Sequence, residues 1–275
     1  MQHPTEHNAN DTENQTTRDT SYKLPYDTLT LESIDSTSRF LKEYVAERSL
    51  TKPLFCTTKI QTAGYGQQHR QWMTNEKSAI FSLAYPLPKE YQISGLLSLH
   101  IAALLHQCLH ELIPDKLALK WPNDLMSSTS NFASEQGKVA GMLIELVPQK
   151  SQRTLIIGIG INRDSPQLTD GSSSVSMFNL DALFATFFQN VQPLLQQSSA
   201  SGAWQNSLIE TLTFADYWQT HDFFKLNETV RLITGNTQEI GRYQGINSNG
   251  QAQIEIDNRL KTLTSGLSSI RKMEP

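Results

Sequence analysis

Apolar residues recur along the chain in two rhythms, and each predicts a different kind of element. Leu29–Ile34 reads as a short strand. Phe40, Leu41, Tyr44 and Val45 then fall at helical spacing behind Asp35-Ser36, a pair that can cap a helix start. Pro53–Ile60 and Ala79–Tyr85 are short apolar runs of the kind that form buried strands. Between them, Gln61–Trp72 is polar, glycine-containing and aperiodic, a loop directly after a strand, where ligands are commonly met. Over residues 93–112, Leu96, Leu97, Ile101, Leu104, Leu105, Cys108, Leu109 and Leu112 form the broad apolar face of a long helix. Further strands are expected at Leu117–Lys120, Val139–Val147 and Thr154–Ile161. A flexible loop is expected at 164–176, and helices at about 180–197 and 203–220.

From Thr229 the rhythm changes to short alternating strands, at Val230–Ile233, Glu239–Ile246 and Ala252–Ile256. Asn249-Gly250 supplies a hairpin turn between the last two. The expected organisation is a disordered tail over 1–24, an α+β domain over 25–225 and a small all-β module over 226–275. The tail has almost no apolar residues with which to offset its chain entropy.

Composition narrows the function. The chain has 275 residues, 38% of them hydrophobic and 18% charged, with a formal net charge of −4. That balance supports a sizeable core and lacks the basic excess of a nucleic-acid binder, so DNA binding is not expected. No apolar run reaches the ~20 residues of a membrane span, and the N-terminus has no signal-peptide pattern. Cys56 and Cys108 lie in apolar segments without CxxC spacing, which reads as two reduced thiols in a cytoplasmic protein.

Four stretches could carry chemistry. Asp35-Ser36-Thr37-Ser38 is a helix N-cap by its bland reading, and a set of hydroxyls and free helix N–H groups by its functional one. The loop from Gln61 through Gly64, Tyr65, Gly66, Gln67, Gln68, His69 and Arg70 to Trp72 permits close backbone approach at its glycines. Lys120-Trp121-Pro122-Asn123-Asp124 ends a strand in a turn that gathers Lys, Asn and Asp. Lys138 opens the apolar strand Gly137–Glu145; it is either a snorkelling edge residue or a cation set beside a reacting anion.

The order and spacing of these stretches resemble the biotin protein ligase family from about Leu29 to Arg271. The motifs are the D-S-T turn, Q-T-x-G-x-G running to R-x-W, K-W-P-N-D, G-K-x-A-G-x-L-x-E and G-I-G-I-N at Gly158–Asn162. Trp218 with Asp222, and Ser265-Gly266 with Ile270-Arg271, complete the set. The resemblance implies a catalytic domain like that of class II aminoacyl-tRNA synthetases, an α+β fold whose mixed, largely antiparallel sheet carries helices, and an SH3-like C-terminal β-barrel. It implies activation of biotin with ATP and Mg²⁺ to biotinyl-5′-adenylate, then transfer to a lysine of the biotin carboxyl carrier protein of acetyl-CoA carboxylase.

Carried onto this chain, Ser36, Thr37, Ser38, Gln61, Gly64, Tyr65, Gly66, Gln67 and Lys138 would bind biotin, with Lys138 as the catalytic cation. Lys120, Asn123, Asp124, Arg70 and Asn162 would bind ATP; the metal ligands stay open. The family loop usually reads G-R-G-R-R-G-R-x-W. Here Tyr65, Gln67 and Gln68 replace arginines, His69 replaces a glycine, and Ser38 stands where the family usually has Asn. A glutamine brings no charge, so an intermediate would be held with less charge assistance. The alternatives are a non-catalytic or weakly active homologue and a lipoyl or octanoyl transferase of the same fold; the lysines of KWPND and GKxAG argue against both. About 28 residues precede the first strand, without an amphipathic pattern, so no repressor role is expected.

Overall fold

Strand β7 (Arg153–Ile161) takes the centre of a seven-stranded sheet, the place its run of Leu, Ile and Gly suits. The computed structural model describes residues 24–128, 137–150, 152–164, 173–196 and 213–273. The expected tail lies outside these residues except for Leu24, as do 165–172 of the expected loop and 203–212 of the last expected helix.

Around β7 the order is β1 (Asp27–Ile34), β2 (Leu54–Gln61), β3 (Ala79–Leu87), β7, β6 (Lys138–Pro148), β5 (Asp124–Ser127) and β4 (Leu117–Lys120). Only β1 and β2 pair in parallel, so the sheet is mixed and mostly antiparallel, as expected. Period-two alternation sorts its side chains. Phe55, Phe81, Leu83, Leu155, Ile157, Ile159 and Ile161 join the large core beneath α2 (Leu97–Leu112) and α3 (Leu180–Gln196). On the other face, Leu54, Cys56, Ala84 and Ile156 pack with Leu41 and Val45 of α1 (Thr37–Ala46). Both cysteines are free and buried, and burial pushes each thiol up to about 12, which keeps it protonated and unreactive.

Three differences from the sequence reading have local causes. Helix α2 begins at Leu97 rather than near residue 93, because the backbone turns at Ser94-Gly95, where Leu97 N–H donates to the Ser94 carbonyl at 3.1 Å. It is buried on nearly every side, His100, His106 and Gln107 included, rather than along one face. The KWPND stretch does not simply end a strand: it is the turn of a hairpin, and Asp124 opens the four-residue strand β5.

Helix α4 (Phe214–His221) is capped by Thr213 in a capping box with Asp216 and leads to a second, five-stranded antiparallel sheet. Its order is β11 (Arg259–Leu263), β10 (Ala252–Ile256), β9 (Thr237–Ile246), β8 (Thr229–Thr234) and β12 (Ser268–Lys272). The turn at Asn249-Gly250 joins β9 to β10 as expected, with Gly250 at φ 74°. Strands β11 and β12 were not legible in the pattern. Hydrogen bonds that link the C-terminal part to the first sheet include the Trp121 indole N–H to the Gly250 carbonyl at 2.9 Å, and the Phe223 N–H just after α4 to the Leu119 carbonyl at 2.8 Å. Among the described residues no helix is long and apolar enough to cross a membrane.

Candidate active site

On the α1 face, the alternation that fills the core with isoleucine leaves Gly158 and Gly160 pointing the other way on β7, with Gly141 beside them on β6. Three adjacent positions without side chains make a floor, and a cavity of about 400 Å³ stands on it, the size of a small-molecule site. The close fit shows at Gly160, where a Cβ would lie 2.5 Å from the Trp72 indole.

One end of the cavity is polar and uncharged. Ser36 caps α1, accepting from the Arg39 N–H, and so places Thr37 and Ser38 in the first turn facing the floor. Thr37 N–H donates to Gln61 Oε1 at 3.0 Å. The hydroxyl of Ser82 on β3, fully buried, lies 2.8 Å from that of Thr37 and 2.9 Å from that of Ser38. Such a group of hydroxyls and an amide offers both donors and acceptors to a neutral polar ring.

The other end is cationic. Lys120, Asn123 and Asp124 come from the β4–β5 hairpin, Lys138 from the start of β6, and Arg271 from β12 of the second sheet. Asn123 is fixed by its side-chain amide, which donates to the Met142 carbonyl. Lys138 Nζ sits 2.6 Å from Asp124 Oδ1 and 5.1 Å from the centre of the Trp72 ring. The Asn162 side chain donates to the Lys138 carbonyl at 3.1 Å and bounds the same end. An anion bound here would meet several cations against one carboxylate.

The loop between β2 and β3 roofs the cavity. It folds on itself through Trp72 N–H to Gly64 O at 2.9 Å and Gly66 N–H to Arg70 O at 2.8 Å. Tyr65, Gly66, Gln67, Arg70 and Trp72 line the cavity. Burial raises the Tyr65 phenol, the Lys42 ammonium opposes and the Glu145 carboxylate adds, so Tyr65 remains a neutral donor.

The structure thus gathers thirteen of the fourteen sequence-predicted residues, Ser36, Thr37, Ser38, Gln61, Tyr65, Gly66, Gln67, Arg70, Lys120, Asn123, Asp124, Lys138 and Asn162, around one cavity. Gly64 is the one that does not line it. A Cβ there would lie 2.3 Å from the Gln61 amide nitrogen, so its bareness leaves room for the Gln61 side chain. Sequence reasoning missed Ser82, whose only signal was one hydroxyl inside the apolar run Ala79–Tyr85. Trp72 and Arg271 stood in motifs without an assigned place in the site.

Fold and site together define an α+β protein with a cavity that is polar and uncharged at one end and cationic at the other. Residues 30–162 match the Biotin/lipoate A/B protein ligase family, and the resemblance to biotin protein ligases drawn from the motifs holds. The bifunctional ligase/repressor BirA of Escherichia coli is 27% identical over 246 residues, 88% of this chain and 73% of that protein. The BirA of Bacillus subtilis is 32% identical over 124 residues, 42% of this chain and 36% of that protein. Among solved structures, the biotin protein ligase of Aquifex aeolicus in complex with biotin and ATP superposes with a TM-score of 0.67 at 23% identity, covering 90% of this chain and 99% of that one. The biotin acetyl coenzyme A carboxylase synthetase of Helicobacter pylori gives 0.59 at 22% identity, covering 86% and 99%. These two likenesses bear on the fold.

Proposed function

We propose that this protein is a cytoplasmic ligase that activates biotin with ATP and transfers it to a lysine of the biotin carboxyl carrier protein of acetyl-CoA carboxylase. The observation that carries the reading is Lys138. Its ammonium belongs to the cationic end of a cavity whose other end is polar and uncharged, and it is pinned by Asp124 at 2.6 Å. A ligand with a uncharged polar ring at one end and a carboxylate at the other would present that carboxylate to Lys138.

In the first half-reaction the biotin carboxylate oxygen attacks the α-phosphorus of ATP; an acyl–phosphate bond forms and pyrophosphate leaves. Two anions must meet, so the cations here contribute by offsetting repulsion and by stabilising charge on the phosphoryl oxygens. Lys138 touches both reacting groups in this reading, while Lys120, Arg70 and Arg271 hold the phosphates, with Asn123 and Asn162 beside them. Ser36, Thr37, Ser38 and Gln61 hold the ureido ring, and the Trp72 ring borders the apolar part. In the second half-reaction the acceptor lysine, as a free amine, attacks the acyl carbon. An amide forms, AMP leaves and the amine gives up a proton. No protein nucleophile is needed in either step.

A magnesium ion commonly binds through one or two carboxylates together with substrate phosphates. Asp124, at the cationic end, suits such an ion; among the described residues no cluster of three or more His, Cys, Asp or Glu forms a cage by itself. Bound there with ATP, the ion would neutralise phosphate charge.

The test is ATP-dependent labelling of a carrier domain with biotin, beside a carrier whose acceptor lysine is replaced. Labelling of the normal carrier alone supports a selective ligase. Labelling of both points to an adenylate that escapes into solution, and labelling of neither overturns the reading.

A further inference from the structure

The roofing loop, Gly64–Trp72, is closed on itself by the two backbone bonds above, which make the bridge between Tyr65 and Gln71, by Arg70 N–H to the Gln67 carbonyl at 3.2 Å and by the Arg70 guanidinium to Gln68 Oε1 at 3.0 Å. Those shape the loop but do nothing to hold it against the sheet. Trp72, at its end, packs on the floor at Gly160 and beside Lys138, and its start is held by a second cluster around Tyr65. Tyr65 Oη donates to Glu145 Oε2 at 2.8 Å, and Lys42 Nζ donates to Glu145 Oε1 at 2.6 Å. The Tyr65 ring is flanked by Lys42 Nζ at 5.2 Å and by the Arg39 guanidinium at 5.5 Å. Three separate elements therefore meet at one phenol: the loop, β6 and α1. Glu145 is on the face of β6 that carries Gly141, because its partner on β7 is Ile156, which packs under α1. At the loop's other end, the Gln68 amide donates to the Gly266 carbonyl of the second sheet at 2.7 Å.

We infer that Tyr65, Glu145 and Lys42 form a latch that holds the 64–72 loop over the cavity before any ligand arrives, with Tyr65 as the positioning residue. A hydroxyl–carboxylate bond is stronger than a neutral pair, and the Lys42 ammonium holds the other carboxylate oxygen in place. Two consequences follow. The ligand does not have to order the loop on binding, so that cost is absent from its affinity. A ligand beneath the loop leaves only when the latch opens, so the latch slows release. The closed loop stands on its own geometry; the effect on biotin rests on the proposed function.

Arg70 makes the loop's state readable, since it is the one trypsin site between Lys59 and Lys77. In the ligand-free full chain, Tyr65→Phe is expected to be cut after Arg70 roughly five- to tenfold faster than wild type, the factor that one modest charge-assisted bond converts to. Cutting at Lys59 and Lys77 should stay unchanged, which separates loop opening from unfolding. Glu145→Ala should match Tyr65→Phe, and the double variant should be cut no faster than either single one. Biotin dissociation from Tyr65→Phe should speed up by a similar factor, with KM for biotin rising. Wild-type cutting of Tyr65→Phe at Arg70, or fully additive effects in the double variant, overturns the latch. Faster cutting at Arg70 in a protein that binds no biotin leaves the latch standing and refutes the ligand assignment instead.

Discussion

The phenol of Tyr243 on β9 donates to the carboxylate of Asp222 at 2.7 Å, across the junction between the end of α4 and the second sheet. The same oxygen accepts from the Trp218 indole at 3.1 Å, and the other takes the Phe224 N–H at 3.2 Å. Burial pushes Asp222 up to about 7 despite these three donors, with Glu228 adding a little.

That environment fixes the sign of a pH effect. An Asp titrates near 3.9 when unfolded, so between about pH 4 and 7 the folded chain keeps a proton that the unfolded chain releases. The stabilisation is complete below about pH 4 and is lost as pH rises through about 7. Denaturant melts of wild type and Asp222→Asn from pH 4 to 8 should show wild type losing roughly 3–4 kcal/mol relative to the variant.

Two buried histidines act in the opposite sense. Burial lowers His100 and His106 to about 4, with the charges of His221 and His110 adding to the effect at His106. His106 Nδ1 lies 2.6 Å from the Tyr217 hydroxyl. Both rings stay neutral in the fold while the unfolded chain takes up protons below about pH 6.5. Stability should therefore fall by roughly 3 kcal/mol per ring as pH drops from 6.5 through 4. His106→Gln should flatten this slope in the same melts, which distinguishes it from the Asp222 effect.

Lys138 is half-buried with its charge met by Asp124 at 2.6 Å. Lys138→Ala should cut biotin-dependent exchange of pyrophosphate into ATP by about 10²–10³-fold, the usual cost of removing one oriented charge-stabilising group. Its melting temperature should stay within a few degrees of wild type, since the pair is partly solvated.

Gly160 is a steric prediction. A methyl there would overlap the Trp72 indole at 2.5 Å. Gly160→Ala should displace the ring, destabilise the chain by about 1–3 kcal/mol and weaken biotin binding, visible as a changed tryptophan emission and a higher Kd. Unchanged emission would mean that Trp72 moves freely in its place.

Elements backed by local pattern were legible in advance. Ser36 as cap, the helical spacing of Leu41 and Val45, and the apolar run of β7 each need only near neighbours to be recognised. The strands that went unseen are short or at edges. Strand β5 has four residues, and in β11 only Leu263 is buried, so no apolar rhythm marks it. Such strands exist because a neighbour supplies their hydrogen bonds, and that neighbour is not visible locally. The site was legible as motifs; the order in which those motifs surround a cavity was not.

The sequence by itself determined which residue types stand ready: hydroxyls at a helix start, glycines alternating with isoleucines, lysines at strand ends. Local propensity and side-chain periodicity suffice for that, because both act over a few residues. Tertiary structure alone decided that Ser82 joins Thr37 and Ser38, that Tyr65 reaches Glu145, and that Arg271 from the second sheet lines the same cavity as Lys138. Those encounters depend on the pairing of β3, β7 and β6 and on the docking of one sheet against another. Hydrogen bonding and burial between segments far apart in the chain set them, and no local pattern records that geometry.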